Sequence, residues 1–427
     1  MIAGFRRLTK RDGAGDAIMV GLPGLVACMN RYAQQIPPRW WGPKLSPFWI
    51  RVWHPLRMRK QHHEQQLMEV EVHGLDNLRA VLDASHGVMI SPNHSGHADA
   101  HVMYHASDEL GVPFHFMTAW QVFYNRGWFG RLLLQQHGCF SVDREGTDMK
   151  AFRCATGILQ KSRYPLVIFP EGEVYHLNER VTPFREGAAT IALTAARRAQ
   201  RDVVCVPCGI KYQYLEDPTE NLFALMDRLE QEIFWRPRRE LPLPERIYRF
   251  AEGAMALKEL EHAGRTSSGP LNERTDALAK HILQRLEEKH EENGAEKTIP
   301  ERVKELRRQL LKKLSELSEG APERTPLEHD LDDVFLVVQL FSYPGDYVKE
   351  HPTIERMAET LDKFEEDVLG VYTASIRGNR KATVAFGEPI PVTRDRKRKG
   401  AAHELTGAME EAVQSLLDSI EIPQDRF

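Results

Sequence analysis

A mixed, mostly parallel α/β sheet of about seven strands, flanked by helices and interrupted before its last strand by a large helical insertion, is the fold class that this 427-residue chain predicts. Three observations point to it. Short apolar runs bounded by turn residues recur at 68–72, 87–91, 113–118, 138–142, 164–169, 203–211 and 381–386, each the length of a buried strand. Helical patterns fit between most of them, at 96–107, 120–135, 148–162 and 186–199, and such alternation describes a sheet layered with helices. From 216 to 376 the alternation stops, and apolar residues recur at helical spacing inside dense charge.

Before the first strand, the longest apolar run is Ala17 to Met29, about 13 residues broken by Gly21, Pro23 and Gly24, too short and interrupted to span a bilayer. Preceding basic residues and the Leu25-Val26-Ala27-Cys28 box have the look of an export signal, but Asp12 and Asp16 break the positive flank such a signal prefers. Between Pro37 and Lys60, Trp40, Trp41, Trp49 and Trp53 fall within fourteen residues, joined by Phe48 and Ile50 and by Arg39, Lys44, Arg51, Arg57, Arg59 and Lys60. Tryptophan beside cations suits the lipid–water interface, so residues 1–66 are expected to form a membrane-interface segment. The other reading is that these aromatics cover the protein's own core.

Charge and cysteine content narrow the partners. With 57 basic and 61 acidic residues, net −4, the chain has no nucleic-acid footprint. Five cysteines without regular spacing fit a reducing compartment better than a disulfide scaffold. Cys205 and Cys208 form CVPC, but within a strand pattern, whereas a redox pair sits at a helix N-terminus.

The chemistry centres on NHSGHAD, residues 93–99. The strand at 87–91 ends at Pro92 and Asn93, and Ser95 is a good N-cap for a helix from Gly96 to about Ser107. That places His94 just before the cap and Asp99 inside the first turns, two positions that a helix start brings together. A carboxylate fixing one imidazole nitrogen leaves the other to take a proton from a hydroxyl near neutral pH. On its own the spacing also describes an ordinary loop histidine. Downstream, Gly138 lets the chain turn into the strand that ends before Arg144 (GCFSVDR), and an arginine at a strand mouth suits a phosphate because its fork donates twice. A surface pairing with Asp143 or Glu145 is the alternative. In FPEG, 169–172, Pro170 stops the strand and Gly172 allows close approach, leaving Glu171 to accept from hydroxyls or to orient Arg144. His94, Arg144 and Glu171 each follow a strand, where α/β sheets gather ligands.

NHSGHAD, GCFSVDR, FPEG and then Val206-Pro207, in this order, resemble the four sequence blocks of the glycerolipid acyltransferase family, whose best-known members acylate lysophosphatidate. The likeness covers 68–215, continues through Phe184, Arg185, Gly187, Ala188 and Ala189, and echoes at 381–392, where Lys381 to Pro391 reads KATVAFGEPIP. It implies catalytic His94 and Asp99, an acceptor side comprising Arg144, Glu171, Gly172, Ser95 and Gly138, and a donor side at Pro207. The implied reaction moves a fatty acyl group from a thioester, on coenzyme A or acyl carrier protein, to a hydroxyl of a glycerolipid-type acceptor, with no bound cofactor. Transfer would be direct, with backbone amides or Ser95 steadying the oxyanion. The expected setting is cytoplasmic, peripheral on the inner face of the membrane. One departure stands out: Glu173 occupies the place of a small hydroxyl residue, and a second carboxylate repels phosphate unless Arg180 or Arg185 compensates.

Other classes fit less well. His97, His101 and His105, with His94 and Asp99, suggest a metal-dependent hydrolase, but neither HExxH nor H-x-H-x-D-H occurs and no metal is expected. A non-catalytic lipid-binding protein would not need His94, Asp99 and Glu171. The absence of G-x-S-x-G disfavours a serine hydrolase.

The expected division is 1–66, a core at 67–215, a helical insertion at 216–376, and a return to the core at 377–427. Within the insertion Leu278, Ile282 and Leu286, and Val303, Leu306, Leu310, Leu314 and Leu317, mark two amphipathic helices with Asn293 and Gly294 turning between them. GRTSSGP at 264–270 reads as a flexible linker, and 341–370 as containing a helix with Pro352 in its first turn. The insertion is expected to serve as a lid or as a surface for a protein partner.

Overall fold

The computed structural model describes residues 38–423 and 426, apart from 145, 147, 293, 295, 296, 372 and 396–398. The Ala17–Met29 run and the export-like box lie outside the described residues.

The sheet is built on two buried strands. β2 (Gly87–Pro92) is buried at every position, and beside it runs β6 (Val203–Tyr214), the longest strand. Side-chain alternation on β6 divides the core: Val204, Val206, Cys208, Ile210 and Tyr212 pack on one face, Val203 and Cys205 on the other. The first face is covered by α2 (Leu75–Asp83) and α3 (Asp99–Leu110). The second is covered by α6 (Met149–Lys161), α7 (Gly187–Ala196) and α15 (Ala401–Ser419). Each fully buried aliphatic side chain here contributes about 1.5–3 kcal/mol, which is why near-continuous apolar runs specify these strands.

With β1 (Leu67–His73), β3 (His115–Ala119), β4 (Cys139–Val142), β5 (Leu166–Val167) and β7 (Arg380–Phe386), the order is β1-β7-β6-β2-β5-β3-β4. A short β8 (Ile390–Pro391) pairs with β6 as the eighth strand. β2 to β6 run parallel, whereas β7 is antiparallel to β6 and carries β1 with it. The expected mixed, mostly parallel sheet with helices before its final strands is therefore what the chain forms.

Pro207 sits inside β6 rather than at its end. On one side it faces Ser91 of β2; on the other it falls between the residues that pair β8, 204 and 205, and those that pair β7, from 208 onward. A missing N–H is tolerated at such a junction. Beyond the end of β2, two side-chain amides continue the ladder along β6. Asn93 bonds Ile210 through both its carbonyl (2.9 Å) and its N–H (2.7 Å), and Asn178 does the same at Tyr212 (2.7 and 2.6 Å). One strand thereby holds both loops of the site.

Two expected elements differ. The helix at 120–135 is two, α4 (Trp120–Tyr124) and α5 (Trp128–Gln136), because Gly127 is extended. Residues 47–63 form a helix, α1 (Pro47–His63), capped by Ser46. The tryptophans ahead of it do not face outward: Trp41 stacks on Phe123 at 5.5 Å and Trp40 packs against Phe140. What α1 exposes is Phe48, Trp49, Val52 and Leu56, and Trp53 meets Phe129 edge-on beside Trp128, which is 77% exposed. Among the described residues no helix is long and apolar enough to cross a membrane.

The insertion consists of α8 (Thr219–Phe234), α9 (Leu243–Ala263), α10 (Leu271–His290), α11 (Ile299–Ser315), α12 (Arg324–Phe341), α13 (Tyr347–Glu350) and α14 (Ile354–Leu369). The two expected amphipathic helices are α10 and α11, whose Leu278, Ile282, Leu286, Val303, Leu306, Leu310 and Leu314 are buried in a core shared with α12. Leu317 lies past the end of α11. Asn293 lies outside the described residues. Residues 264–270 join two helices of one packed unit rather than two domains, and Glu259 binds both Ser267 and Arg274 across the turn. Pro352 precedes the N-cap Thr353 instead of lying in the first turn. The insertion rests on the core through α14, where Arg356 bonds Glu179 (2.8 Å), Glu359 accepts the Asn178 N–H (3.1 Å) and Glu355 accepts the Tyr214 N–H (3.1 Å).

Candidate active site

Because β2, β4 and β5 run parallel, the loops after them share one edge of the sheet, and His94, Arg144 and Glu171 all emerge there. Asp99 is the first residue of α3, so Ser95 is not its cap; the carboxylate itself reaches back. Asp99 Oδ2 accepts from His94 Nδ1 at 2.7 Å and from the Gly96 N–H at 3.1 Å, while Oδ1 accepts from the Tyr212 hydroxyl at 2.6 Å. Asp99 is fully buried, whereas the His94 side chain is 23% exposed. The imidazole stacks on Phe169 at 4.2 Å, and its Nε2 has no hydrogen-bond partner among the described residues. Burial and the neighbouring Asp99 charge push the Tyr212 hydroxyl well above its ordinary pKa, so it stays a proton donor to that carboxylate. Sequence reasoning missed Tyr212, whose only signal was its place on the inward alternation of a strand.

Glu171 acts on this pair through the backbone. Its oxygens accept the N–H groups of His94 (2.7 Å) and Thr182 (3.2 Å), and the residue is 3% exposed. Burial raises its pKa to about 8, against those two amides, which favour the charged form. Gly172, at φ 81°, has the Arg185 guanidinium lying where a Cβ would be, 2.8 Å away. The close approach that this glycine permits is thus made by the chain's own arginine. The Gly172 carbonyl accepts from Arg144.

Arg144 pairs with Glu173 at 2.9 Å. Burial raises the pKa of that carboxyl, but the charges of Arg144, Arg185 and Arg307 outweigh it and hold the group below its usual range. Arg185 therefore provides the compensation, together with Arg307 from α11, which no local pattern announced. Arg180 does not: it bonds Asp346 (3.0 Å) and Glu350 (2.8 Å).

Three expected site residues fall elsewhere or remain unengaged. Gly138, at φ 83°, is at the amino end of β4, opposite Arg144, where any Cβ would strike the Phe114 carbonyl at 2.5 Å; its role is the turn into the strand. Pro207 lies beside Ser91, three residues upstream of His94. Ser95 Oγ is buried and has no partner among the described residues.

The five-residue metal reading is not assembled, since His97 precedes α3, His101 packs against Tyr104, and burial with nearby Arg57 and Lys60 pushes His101 down to about 4. Cys205 and Cys208 are buried within β6, and burial raises both thiols, so CVPC is packing.

Residues 69–211 match the family model described as Acyltransferase. No curated protein matches the chain.

Proposed function

We propose, from the match of residues 69–211 to the family model described as Acyltransferase, that the protein moves a fatty acyl group from a thioester, on coenzyme A or acyl carrier protein, to a hydroxyl of a glycerolipid-type acceptor. The observation that carries this reading is the His94–Asp99 contact of 2.7 Å, with the carboxylate buried and the imidazole open on its other side. His94 Nε2 takes the hydroxyl proton as the acceptor oxygen attacks the thioester carbonyl carbon. The carbon–sulfur bond then breaks, and the imidazolium returns the proton to the departing thiolate. Asp99 holds the ring in one tautomer and orientation, and Tyr212 holds Asp99. Ser95 Oγ, a buried hydroxyl without a partner among the described residues, is suited to donate to the developing oxyanion.

Three guanidinium groups act on Glu173, so a phosphate-bearing acceptor such as lysophosphatidate still meets net positive charge there. The outward aromatic face of α1 and α5, with exposed Arg51, Arg59 and Arg126, serves as the contact with an anionic membrane surface, consistent with a peripheral cytoplasmic enzyme. Trp128→Ala with Phe129→Ala is expected to weaken co-sedimentation with anionic vesicles, and undiminished binding contradicts that role.

The reaction is tested by supplying labelled acyl-CoA, and separately labelled acyl carrier protein, with an extracted lipid pool. Lipid products one acyl group heavier are expected by mass analysis. Release of free fatty acid alone, without an acylated lipid, overturns the proposal.

A further inference from the structure

Three ligand-type side chains meet at the seam between the core and the insertion, outside the acyl-transfer machinery. His97 follows the catalytic histidine in the first loop, His176 lies in the loop after Glu171, and Glu366 comes from α14. His97 Nε2 is 3.2 Å from Glu366 Oε1, His176 Nε2 is 3.1 Å from Glu366 Oε2, and the three ligand atoms lie within 4.8 Å of one another.

We propose that His97, His176 and Glu366 bind a divalent cation of the zinc class, which braces the insertion against the catalytic loops.

The donor chemistry suits that class: two imidazole nitrogens and one carboxylate form a borderline-soft set that favours zinc over magnesium or calcium. Each imidazole nitrogen stands 3.1–3.2 Å from a Glu366 oxygen, near the roughly 3.3 Å between ligands about 2.0–2.1 Å from a tetrahedral ion, and the full set, within 4.8 Å, needs only small side-chain shifts to close on one. His176 holds a left-handed backbone, φ 53°, which is uncommon for a residue with a side chain and aims its ring at Glu366. Glu366 is oriented in turn by the Ala374 N–H at 2.9 Å, the kind of outer contact that fixes a carboxylate ligand. His97 and His176 also line a cavity of about 50 Å³, shared with Ser95, Gly96, Tyr212 and Ala374, enough for a water beside the two imidazoles. Binding requires each Nε2 to give up its proton to solvent or to Nδ1, so affinity falls with acid. The site is independent of the acyl-transfer reading, because it is read without either substrate.

The experiment uses the full chain, dialysed against chelator and titrated calorimetrically with Zn²⁺ alone, with Co²⁺ as the spectroscopic probe. One Zn²⁺ per chain, tetrahedral Co²⁺ bands in the visible, and a Tm raised by Zn²⁺ are expected. His176→Ala and Glu366→Gln should each weaken binding by about 100-fold or more, beyond what loss of an outer contact does. His97→Gln provides the same reading if either of those fails to fold by circular dichroism. His403→Ala, at an exposed histidine, should bind as the parent does. Absence of stoichiometric binding, or equal affinity in the ligand variants, overturns the proposal and leaves a hydrogen-bonded strut only. Loss of binding in His403→Ala would likewise overturn it by locating the ion on the surface.

Discussion

The core and the insertion both bury carboxylates: arginine pairs dominate in the insertion, beside one histidine pair, Asp330 with His290 at 2.8 Å, whereas the core sets Asp99 against a histidine and Glu173 against an arginine. In the insertion, Arg246 binds Glu230 (2.7 Å) and Asp227 (2.6 Å), Arg274 binds Glu259 (2.7 Å) and Arg302 binds Glu287 (2.8 Å). A guanidinium does not lose its proton in a protein, so these pairs hold helices together and do nothing else. At the carboxyl edge of the core sheet, Asp99 is paired with an imidazole, and Glu171 with two backbone amides. An imidazole does exchange protons near neutral pH. A carboxylate set against an imidazole thus has a partner that can exchange a proton, and one set against a guanidinium does not. Glu366 stands at the boundary, an insertion carboxylate whose partners are histidines of the core.

The sharpest way to break this comparison is to remove a permanent cation. Arg246→Ala leaves Glu230, 1% exposed, without its guanidinium and should cost about 3–5 kcal/mol in urea unfolding. A loss under about 1 kcal/mol would mean that these pairs are not what holds the insertion.

A smaller effect concerns the core's neutral histidines. Burial depresses His115 to about 4 from an ordinary value of 6.5. Its folded pKa lies below the unfolded one, so its contribution is fully present above pH 6.5 and is lost as pH falls toward 4. That amounts to about 3 kcal/mol over the window. His115→Asn should therefore flatten the stability–pH curve between those values; an unchanged slope contradicts the assignment.

Glu173 offers the mildest test. Glu173→Ser removes the carboxylate that pairs with Arg144, and under the proposed reading KM for a phosphate-bearing acceptor should fall about tenfold, about 1.4 kcal/mol, with kcat little changed. A rise in KM would mean that the carboxylate itself recognises the acceptor.

The sheet was legible because β2 and β6 are buried on both faces, and continuous apolar runs have few other uses. The pairing of His94 with Asp99 was legible because it is local, although the helix begins three residues later than the Ser95 cap predicts: Asp99 satisfies the Gly96 N–H itself. Tyr212, Arg307 and Glu366 were not legible. Each reaches the site from more than a hundred residues away in the chain, and nothing in its own neighbourhood distinguishes it from a core tyrosine or a solvated charge. Trp40 and Trp41 left two readings open for a related reason, since tryptophan serves a lipid interface and an internal stack equally well, and here they pack on Phe140 and Phe123.

The most direct measurement is kcat/KM for His94→Ala on the acceptor that the lipid screen identifies, with circular dichroism and Tm recorded on the same sample. A fall of at least about a hundredfold in a folded protein is predicted for loss of a general base. A folded variant that keeps more than about a tenth of the parent activity would contradict the assignment of His94 as the base.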